Sequence, residues 1–389
     1  MDWINKLIQL IAPSRDLLFV TAGNTTSSLI GALFWVFIAS LLSVHDYGLV
    51  NYYLSLSLLL SVVSLLGLNT TVITFLAKGN EKLKFQANQL VLISNCIAVI
   101  LLLIFIKSLA AGILLLAISF YTMSWAEILG RKENRKYAIV VMSQRFLQVI
   151  LSLLLYYFIG LNGLIIGYAL SALLLSYTFF KSFKHTKLQL QFNELAQRSS
   201  FIIDNYFLAI SNTIILYIDK LLIAPLFGFE VLGLYQICFQ FLLFLSIIPL
   251  SLFHFLLPRE SAQLHVKKFA VIGLFAAMIS YVAFVIAIPA IIGLYFPHFK
   301  QSILASQIMT FSIIPMTFSS ILISNLFGRE KSRPVLVTTA IYISVLLLLT
   351  IELGHTLGLI GLALSVVISS TVQSVSLFAM SRGKRVKIS

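Results

Sequence analysis

Apolar segments of about one bilayer thickness, roughly 20 residues each, alternate along this chain with short polar stretches, and those stretches are by turns rich and poor in cations. Segments such as 17–42, 88–106, 138–159, 163–180 and 357–380 have the length and apolarity of spanning α-helices. Seven stretches, 1–16, 77–86, 128–137, 181–198, 258–268, 328–334 and 381–389, hold 23 of the 27 Lys and Arg residues. Between neighbouring stretches lies a hairpin of two apolar helices whose far turn carries one cation or none. Lys107 and Lys300 occupy such turns, whereas Arg145 and Lys220 lie within helices. Short loops rich in Lys and Arg stay on the cytoplasmic side. The pattern therefore predicts twelve spans, both termini cytoplasmic, with odd-numbered helices running outward.

Composition agrees: 60% hydrophobic residues, 10% charged and a mean hydropathy of +1.02 describe a multi-pass membrane protein rather than a soluble one. The net charge of +14 then reports orientation in the membrane, and no nucleic-acid partner is expected. The basic loops read as solvated and lipid-facing. Cys96 and Cys238 fall inside separate spans without metal-ligand spacing, so two inert thiols and no metal site are expected. No cleavable signal peptide is expected either. Ile4, Leu7, Ile8 and Ile11 share one helical face with Trp3 beside them, which predicts a short interfacial helix leading into the first span.

The second half echoes the first. Gly130-Arg131-Lys132-Glu133-Asn134-Arg135 returns as Gly328-Arg329-Glu330-Lys331-Ser332-Arg333. The segment from Gly163 to Ser171 returns, one residue shorter, from Gly358 to Ser365, and Asp46-Tyr47-Gly48-Leu49 returns near Glu230–Tyr235. Equivalent segments lie an even number of spans apart, so the repeat is parallel. The expected fold is an all-α integral membrane protein of twelve transmembrane helices in two parallel-repeat six-helix bundles around a central cavity. The bundles are placed at 1–183 and 199–389, joined by a cytoplasmic basic linker at 184–198. Rocking of such halves is a transporter architecture, although a duplicated inert bundle would carry the same repeat.

Helices lining a wet cavity carry polar residues on one stripe. Helix 1 offers Thr21, Asn24, Thr25, Ser28 and Trp35; helix 2 offers Asn51, Ser55 and Asn69. Helix 7 offers Asn205, Asn212 and Asp219 at seven-residue spacing, beside Asp204 and Ser211, and helix 8 offers Gln236, Gln240, Ser251 and His254. Interhelical hydrogen bonding alone would explain single Ser, Thr and Asn residues. Arg145 lies about 12 Å into helix 5 at 1.5 Å per residue, with Gln148, Ser152 and Tyr156 on its face. It is read as a ligand for an anionic group, half of an ion pair, or a snorkelling side chain. Asp219 is either a coupling-cation site or a local partner. Lys220, its neighbour, is expected to snorkel, because adjacent helical residues do not face one another. Glu127, Asp204, Arg15 and Arg198 are expected near the cytoplasmic mouth. Trp35, Trp125, Tyr206, Tyr217 and Tyr235 could stack on sugar rings or form interfacial belts, and Pro249, Pro289 and Pro315 should kink their helices.

The stretch from Leu41 to Gly79, LLSVHDYGLVNYYLSLSLLLSVVSLLGLNTTVITFLAKG, resembles the second-helix signature of the polysaccharide and O-antigen flippase family, within the multidrug/oligosaccharidyl-lipid/polysaccharide exporter superfamily. DKLLIAPLFGFEVLGLYQICFQF, from 219 to 241, is similar to that family's seventh-to-eighth helix turn. Asn24, the GRKENRK loop and the GLIGLALS segment add to the resemblance. It implies movement of a polyprenyl-diphosphate-linked oligosaccharide from the cytoplasmic to the outer leaflet by alternating access, through a cavity lined by helices 1, 2, 7 and 8. Expected partners are that lipid-linked oligosaccharide, membrane lipids and polysaccharide polymerase machinery, in a prokaryotic cell (inner) membrane. Arg145 with its bidentate fork suits the diphosphate. Gln148, Asn24, Ser28, Asn51, Asn69, Asn205, Asn212, Gln236 and Gln240 are the other cavity candidates. No cofactor is expected beyond a coupling cation, proton or sodium, for which Asp219 is the candidate.

Two rival readings remain. A membrane enzyme would need a catalytic constellation at a cavity mouth, and no paired carboxylates, Cys/His pair or metal spacing appears; the chain is not expected to be an enzyme. A multidrug or small-molecule exporter on the same fold would need carboxylates deep in helices 1 to 3, which have none beyond their ends. Helix 1 also lacks a cation between Arg15 and its outer end, unlike flippases of the peptidoglycan precursor.

Overall fold

The computed structural model describes residues 2–184, 192–262 and 266–382, with side chains from Phe19 to Ser381. Among these the chain is helical, with no strand. In order the helices are α1 (Asp2–Leu41), α2 (Val44–Leu65), α3 (Leu68–Leu76), α4 (Glu81–Phe105), α5 (Leu109–Gly130), α6 (Asn134–Ile159), α7 (Leu161–Leu174) and the short α8 (Tyr177–Lys181) and α9 (Asn193–Ala196). Then follow α10 (Ser199–Phe227), α11 (Phe229–Leu245), α12 (Ile247–Ser261), α13 (Lys267–Tyr295), α14 (Ile303–Thr310), α15 (Ile313–Gly328) and α16 (Arg333–Arg382). Among the described residues, ten stretches are long and apolar enough to cross a membrane, and Leu161–Leu174 is a shorter apolar helix. The last stretch is interrupted at Gly358 (φ 57°, ψ −134°), which makes the described helices consistent with the twelve expected without fixing that number. The protein is a multi-pass membrane protein.

Two compact units form. One comprises Met1–Trp35 and Tyr52–Ile218, the other Val36–Asn51 and Asp219–Ser389. This differs from a division within the 184–198 linker: α1, α2 and α10 each contribute to both units. The interfacial face expected on residues 3–11 and the placement of Arg15 lie outside the described side chains, although the α1 backbone runs unbroken from Asp2. Residues 185–191 of the linker also lie outside the described residues. Its far end docks in the first unit, where Leu195 is buried with Leu65, Leu83 and Phe179.

Local chemistry sets the helix ends. Asn80 caps α4 by accepting the Leu83 N–H at 3.1 Å, and Ser108 caps α5 by accepting that of Ala111 at 3.3 Å. At the ends of α5 and α15, Lys132 (φ 61°) and Glu330 (φ 60°) take the left-handed position of a Schellman turn. There Glu133 N–H donates to Ile128 O and Lys331 N–H to Leu326 O.

The two turns are 198 residues apart, and the same offset recurs through the next hairpin. Gly160 (φ 65°) matches Gly358 (φ 57°). A methyl on Gly163 would overlap the Leu155 carbonyl as one on Gly361 would overlap that of Leu353. The repeat therefore pairs Gly163 with Gly361 and Gly160 with Gly358, rather than Gly163 with Gly358, the residue-shorter register expected from sequence. Hairpin geometry fixes the alignment where a short run of Gly and Leu is degenerate.

Proline acts at two of its three expected places. Pro249 and Pro315 follow the breaks before α12 and α15, where their missing N–H would otherwise bond the carbonyl four residues back. Pro289 lies inside the continuous α13, and the carbonyl it orphans, Val285 O, accepts the Gln307 side-chain amide at 2.8 Å. Helix 2 breaks without proline. Leu66 (φ 53°) and Gly67 (φ 73°) separate α2 from α3, and a methyl on Gly67 would come within 2.8 Å of Ile202 O on α10.

Most described cations of the basic turns are exposed, as expected, but one ion cluster is partly buried. Lys84 Nζ contacts Glu127 Oε1 at 2.9 Å, and Arg131 bridges Glu127 at 3.1 Å and Glu81 at 2.7 Å. Glu127 is 7% exposed, so it is neutralised inside the first unit.

Candidate functional site

Within the first unit, α1 packs on α6 through a stripe of small residues. Gly23 stands against Ala138, Ser27 is buried, and a methyl on Gly31 would lie 3.6 Å from the Arg145 guanidinium carbon. Small residues at four-residue spacing let the backbones approach. Arg145, on α6, extends into the space they leave. Its Nε donates to Ser27 Oγ at 3.3 Å, and Nη1 donates to Gln148 Oε1 at 2.7 Å and to the Tyr168 hydroxyl at 3.4 Å. The guanidinium also lies 5.7 Å from the Tyr168 ring centroid, within cation–π range.

Two of the three readings of Arg145 find no support among the described residues. Its partners are all neutral, with no carboxylate in ion-pair distance among the described residues. Gln148 lies one turn farther from the basic loop, so the side chain does not snorkel back toward it. Gln148 is 1% exposed, and its Nε2 has no hydrogen-bond partner among the described residues.

Arg145 lines a cavity of about 240 Å³ with Ser27, Ile118, Tyr121, Thr122, Trp125, Tyr137, Val141, Gln144 and Tyr168. Around it, the Tyr137 hydroxyl donates to Asn24 Oδ1 at 2.9 Å, and Gln144 Nε2 donates to Ser171 Oγ at 3.0 Å. Trp125 meets Tyr137 edge-on at 5.9 Å. The lining contains one cation, several hydroxyls, one amide, four aromatic side chains and no acid.

The repeat separates scaffold from site. Moving 198 residues on, the hairpin glycines and Ser171 meet Gly and Ser again, whereas Arg145, Gln148 and Tyr168 meet Ile343, Leu346 and Val366. Leu346 is as buried as Gln148. Packing at these positions is met by aliphatic residues, so the polar set is not needed by the fold.

The sequence candidates divide accordingly. Arg145, Gln148 and Asn24 belong to this cluster. Ser28, by contrast, is exposed on the neighbouring face of α1, where Ser27 makes the contact. Asn69 is half-buried on α3, and Asn212 is exposed on α10. Asn51 and Asn205 donate to their own helices, at Tyr47 O and Phe201 O. In the second unit Gln236 is 7% exposed, with Oε1 unpartnered among the described residues, and Gln240 is half-buried.

The expectation that Lys220 snorkels is overturned. Asp219 and Lys220 are each 2% exposed and paired, Nζ to Oδ1 at 3.2 Å, while the Tyr235 hydroxyl donates to Asp219 Oδ2 at 2.6 Å. Burial makes pairing with the adjacent carboxylate cheaper than two isolated charges. Tyr235, 1% exposed and committed to Asp219, is not placed to stack on a ligand.

A family model described as "Polysaccharide biosynthesis protein" matches residues 14–264. The chain belongs to this family. No curated protein matches it. Among solved structures, it is similar to the lipid II flippase MurJ in an inward closed conformation, with TM-score 0.76 and 15% identity over 94% of this chain and 87% of that one. An inward-facing multidrug-resistance MATE transporter gives TM-score 0.69 and 13% identity over 92% and 94%. A superfamily transporter from Pyrococcus furiosus, described as having a binding pocket of reversed polarity, gives 0.56 and 15% over 95% and 93%. At these identities the likeness shows the fold.

Proposed function

We propose that this protein is a flippase that moves a polyprenyl-diphosphate-linked oligosaccharide from the cytoplasmic to the outer leaflet by alternating access, for cell-surface polysaccharide biosynthesis. The observation that carries the reading is the Arg145 guanidinium, held by three neutral side chains beside an acid-free cavity. A half-buried cation within an apolar span is costly without a counter-ion unless a ligand supplies one. A diphosphate does so, and the fork of Arg145 suits two of its oxygens. Tyr121, Trp125 and Tyr137 offer faces and hydroxyls to the adjoining sugar. At about 240 Å³ the cavity is smaller than the roughly 300–1,000 Å³ typical of drug-sized ligands. It accommodates a head group while the polyprenyl tail stays in lipid. An exporter of organic cations, the alternative on this fold, would want the opposite charge in the cavity.

The protein would act in a prokaryotic cell membrane, where the distribution of Lys and Arg supports cytoplasmic termini, and the product would be handed to polysaccharide polymerase machinery at the outer face. The test is flipping of a fluorescent undecaprenyl-diphosphate oligosaccharide in proteoliposomes, compared with Arg145→Ala and with empty vesicles. Flipping abolished by Arg145→Ala in folded protein supports function and site together. Flipping indifferent to that change keeps the function and discards the site, and no flipping across several glycans turns the reading toward an exporter.

A further inference from the structure

Asp219 lies within the apolar stretch of α10 and is almost fully buried, so its carboxylate needs a proton, a free cation or a side-chain cation for company. Its surroundings form a cage for one cation. The carboxylate supplies both oxygens at 3.2 and 3.4 Å from Lys220 Nζ, and the Phe239 ring caps the ammonium at 3.7 Å from its centroid. Tyr235 donates its hydroxyl to Asp219 Oδ2 at 2.6 Å and holds the carboxylate in place.

A freely exchanging sodium ion fits this set poorly. Hard cations collect a shell of oxygens on all sides, and here an aromatic face covers one side of the cation position. No group of three His, Cys, Asp or Glu side chains that could hold a metal occurs among the described residues. An ammonium, by contrast, suits a carboxylate below and a ring above. The lysine that supplies it folds back over its own neighbour, giving up the freedom of a snorkelling side chain.

The first repeat has no counterpart. Gly48 and Gly233 are reciprocal, since a methyl on either would overlap the carbonyl of Phe229 or Val44, and this sets an offset of 185 residues. At that offset Asp219, Lys220, Tyr235 and Phe239 correspond to Phe34, Trp35, Val50 and Leu54. The scaffold is thus built once without the charged set. It is an addition to one half.

We infer that Lys220 is a tethered cation: its ammonium fills the position beside Asp219 that a free monovalent cation would take, so α10 carries its own counter-ion and draws none from solution at this site. The inference concerns ion dependence and holds whatever the cargo. It separates the two cations within spans by role, with Lys220 matched internally and Arg145 left to a ligand.

The test uses the purified full-length protein, melted in choline, sodium, lithium and potassium chloride at equal ionic strength, with equilibrium binding of radioactive sodium alongside. The wild type should melt alike in all four salts and bind no sodium saturably. Lys220→Met should gain a saturable stabilisation of several degrees from sodium or lithium, lost again in Lys220→Met/Asp219→Asn. Lys220→Arg should behave as wild type. Saturable sodium binding by the wild type that Asp219→Asn removes overturns the inference, as does a folded Lys220→Met protein that melts alike in every salt. Should Lys220→Met fail to fold, the wild-type and Asp219→Asn measurements decide alone, sodium binding overturning the inference and its absence upholding it. The double variant, with no unmatched buried charge, remains a foldable control.

Discussion

Gly31 controls the space that the Arg145 guanidinium occupies. A methyl there would sit at ordinary contact distance, 3.6 Å from the guanidinium carbon, whereas a branched side chain would take the guanidinium's place. Gly31→Ala should therefore flip the lipid-linked substrate nearly as well as wild type. Gly31→Leu should lose at least about tenfold, equivalent to roughly 1.4 kcal/mol, while still folding; the proteoliposome assay reads both. Arg145→Lys keeps the charge but not the fork that reaches Ser27, Gln148 and Tyr168 together. It is expected to recover only a minor part of the activity lost in Arg145→Ala, measured on the same substrate. Arg145 and Gln148 were legible in the sequence because polar groups inside an apolar span need a reason. Ser27 was not, since a polar stripe on α1 was drawn through Asn24 and Ser28, one residue round the helix. The signal lay in the small residues Gly23, Ser27 and Gly31. Lys220 was misread because the rule that adjacent helical residues face apart assumes solvent at the end of the side chain, and here Phe239 and Asp219 await it.

Helix hairpins carry the repeat, and their glycines do different work. A methyl on Gly160 would meet nothing within 4 Å, but φ 65° with ψ −146° is a region kept almost to glycine, so alanine faces backbone strain alone, roughly 1–3 kcal/mol. At Gly163 a methyl overlaps the Leu155 carbonyl, and the tight α6–α7 hairpin must open. Thermal denaturation in detergent should rank Gly163→Ala as more damaging than Gly160→Ala, and the second repeat should copy the order, with Gly361→Ala worse than Gly358→Ala. The docked linker end makes a separate prediction. Glu194 accepts from Asn80 at 2.8 Å and from Arg198 at 2.8 Å, and these bonds, Asn80 first, hold its carboxyl below the usual range. The contribution of a depressed carboxyl is present above its unfolded value, about 4.3, and is lost as pH falls through its lower folded value. Proteolysis near 185–198 should thus rise steeply below about pH 4 in wild type, and Glu194→Gln should flatten that rise. The all-helical membrane class and the basic turns are readable because hydropathy and charge are local properties. The break at Leu66-Gly67 and the continuity of α13 were not, because they depend on Ile202 and Gln307, distant in sequence.

Over the whole molecule, the segments that belong to both units are α1, α2 and α10, and the two repeats meet within the second unit at the starts of α2 and α11. Gly48 faces the Phe229 backbone and Gly233 the Val44 backbone, so one pseudo-symmetric crossing serves both helices. Under the orientation proposed from the Lys and Arg pattern, this crossing lies at the outer ends of its helices, where alternating access requires equivalent segments of the repeats to part and rejoin. Closing it depends on bare backbone at both positions. Gly48→Ala and Gly233→Ala should each cost about 1–3 kcal/mol by overpacking. Because either methyl already forces the same crossing apart, the double variant should cost less than the sum of the singles, by roughly 0.5–3 kcal/mol. Melting temperatures of the four proteins complete the cycle, and additive costs would mean that the two glycines act at independent contacts. Transport supplies the second half of the test. A protein whose crossing cannot close should retain a folded Arg145 site yet lose most of its flipping, and the loss in the double variant should be no greater than in the worse single one.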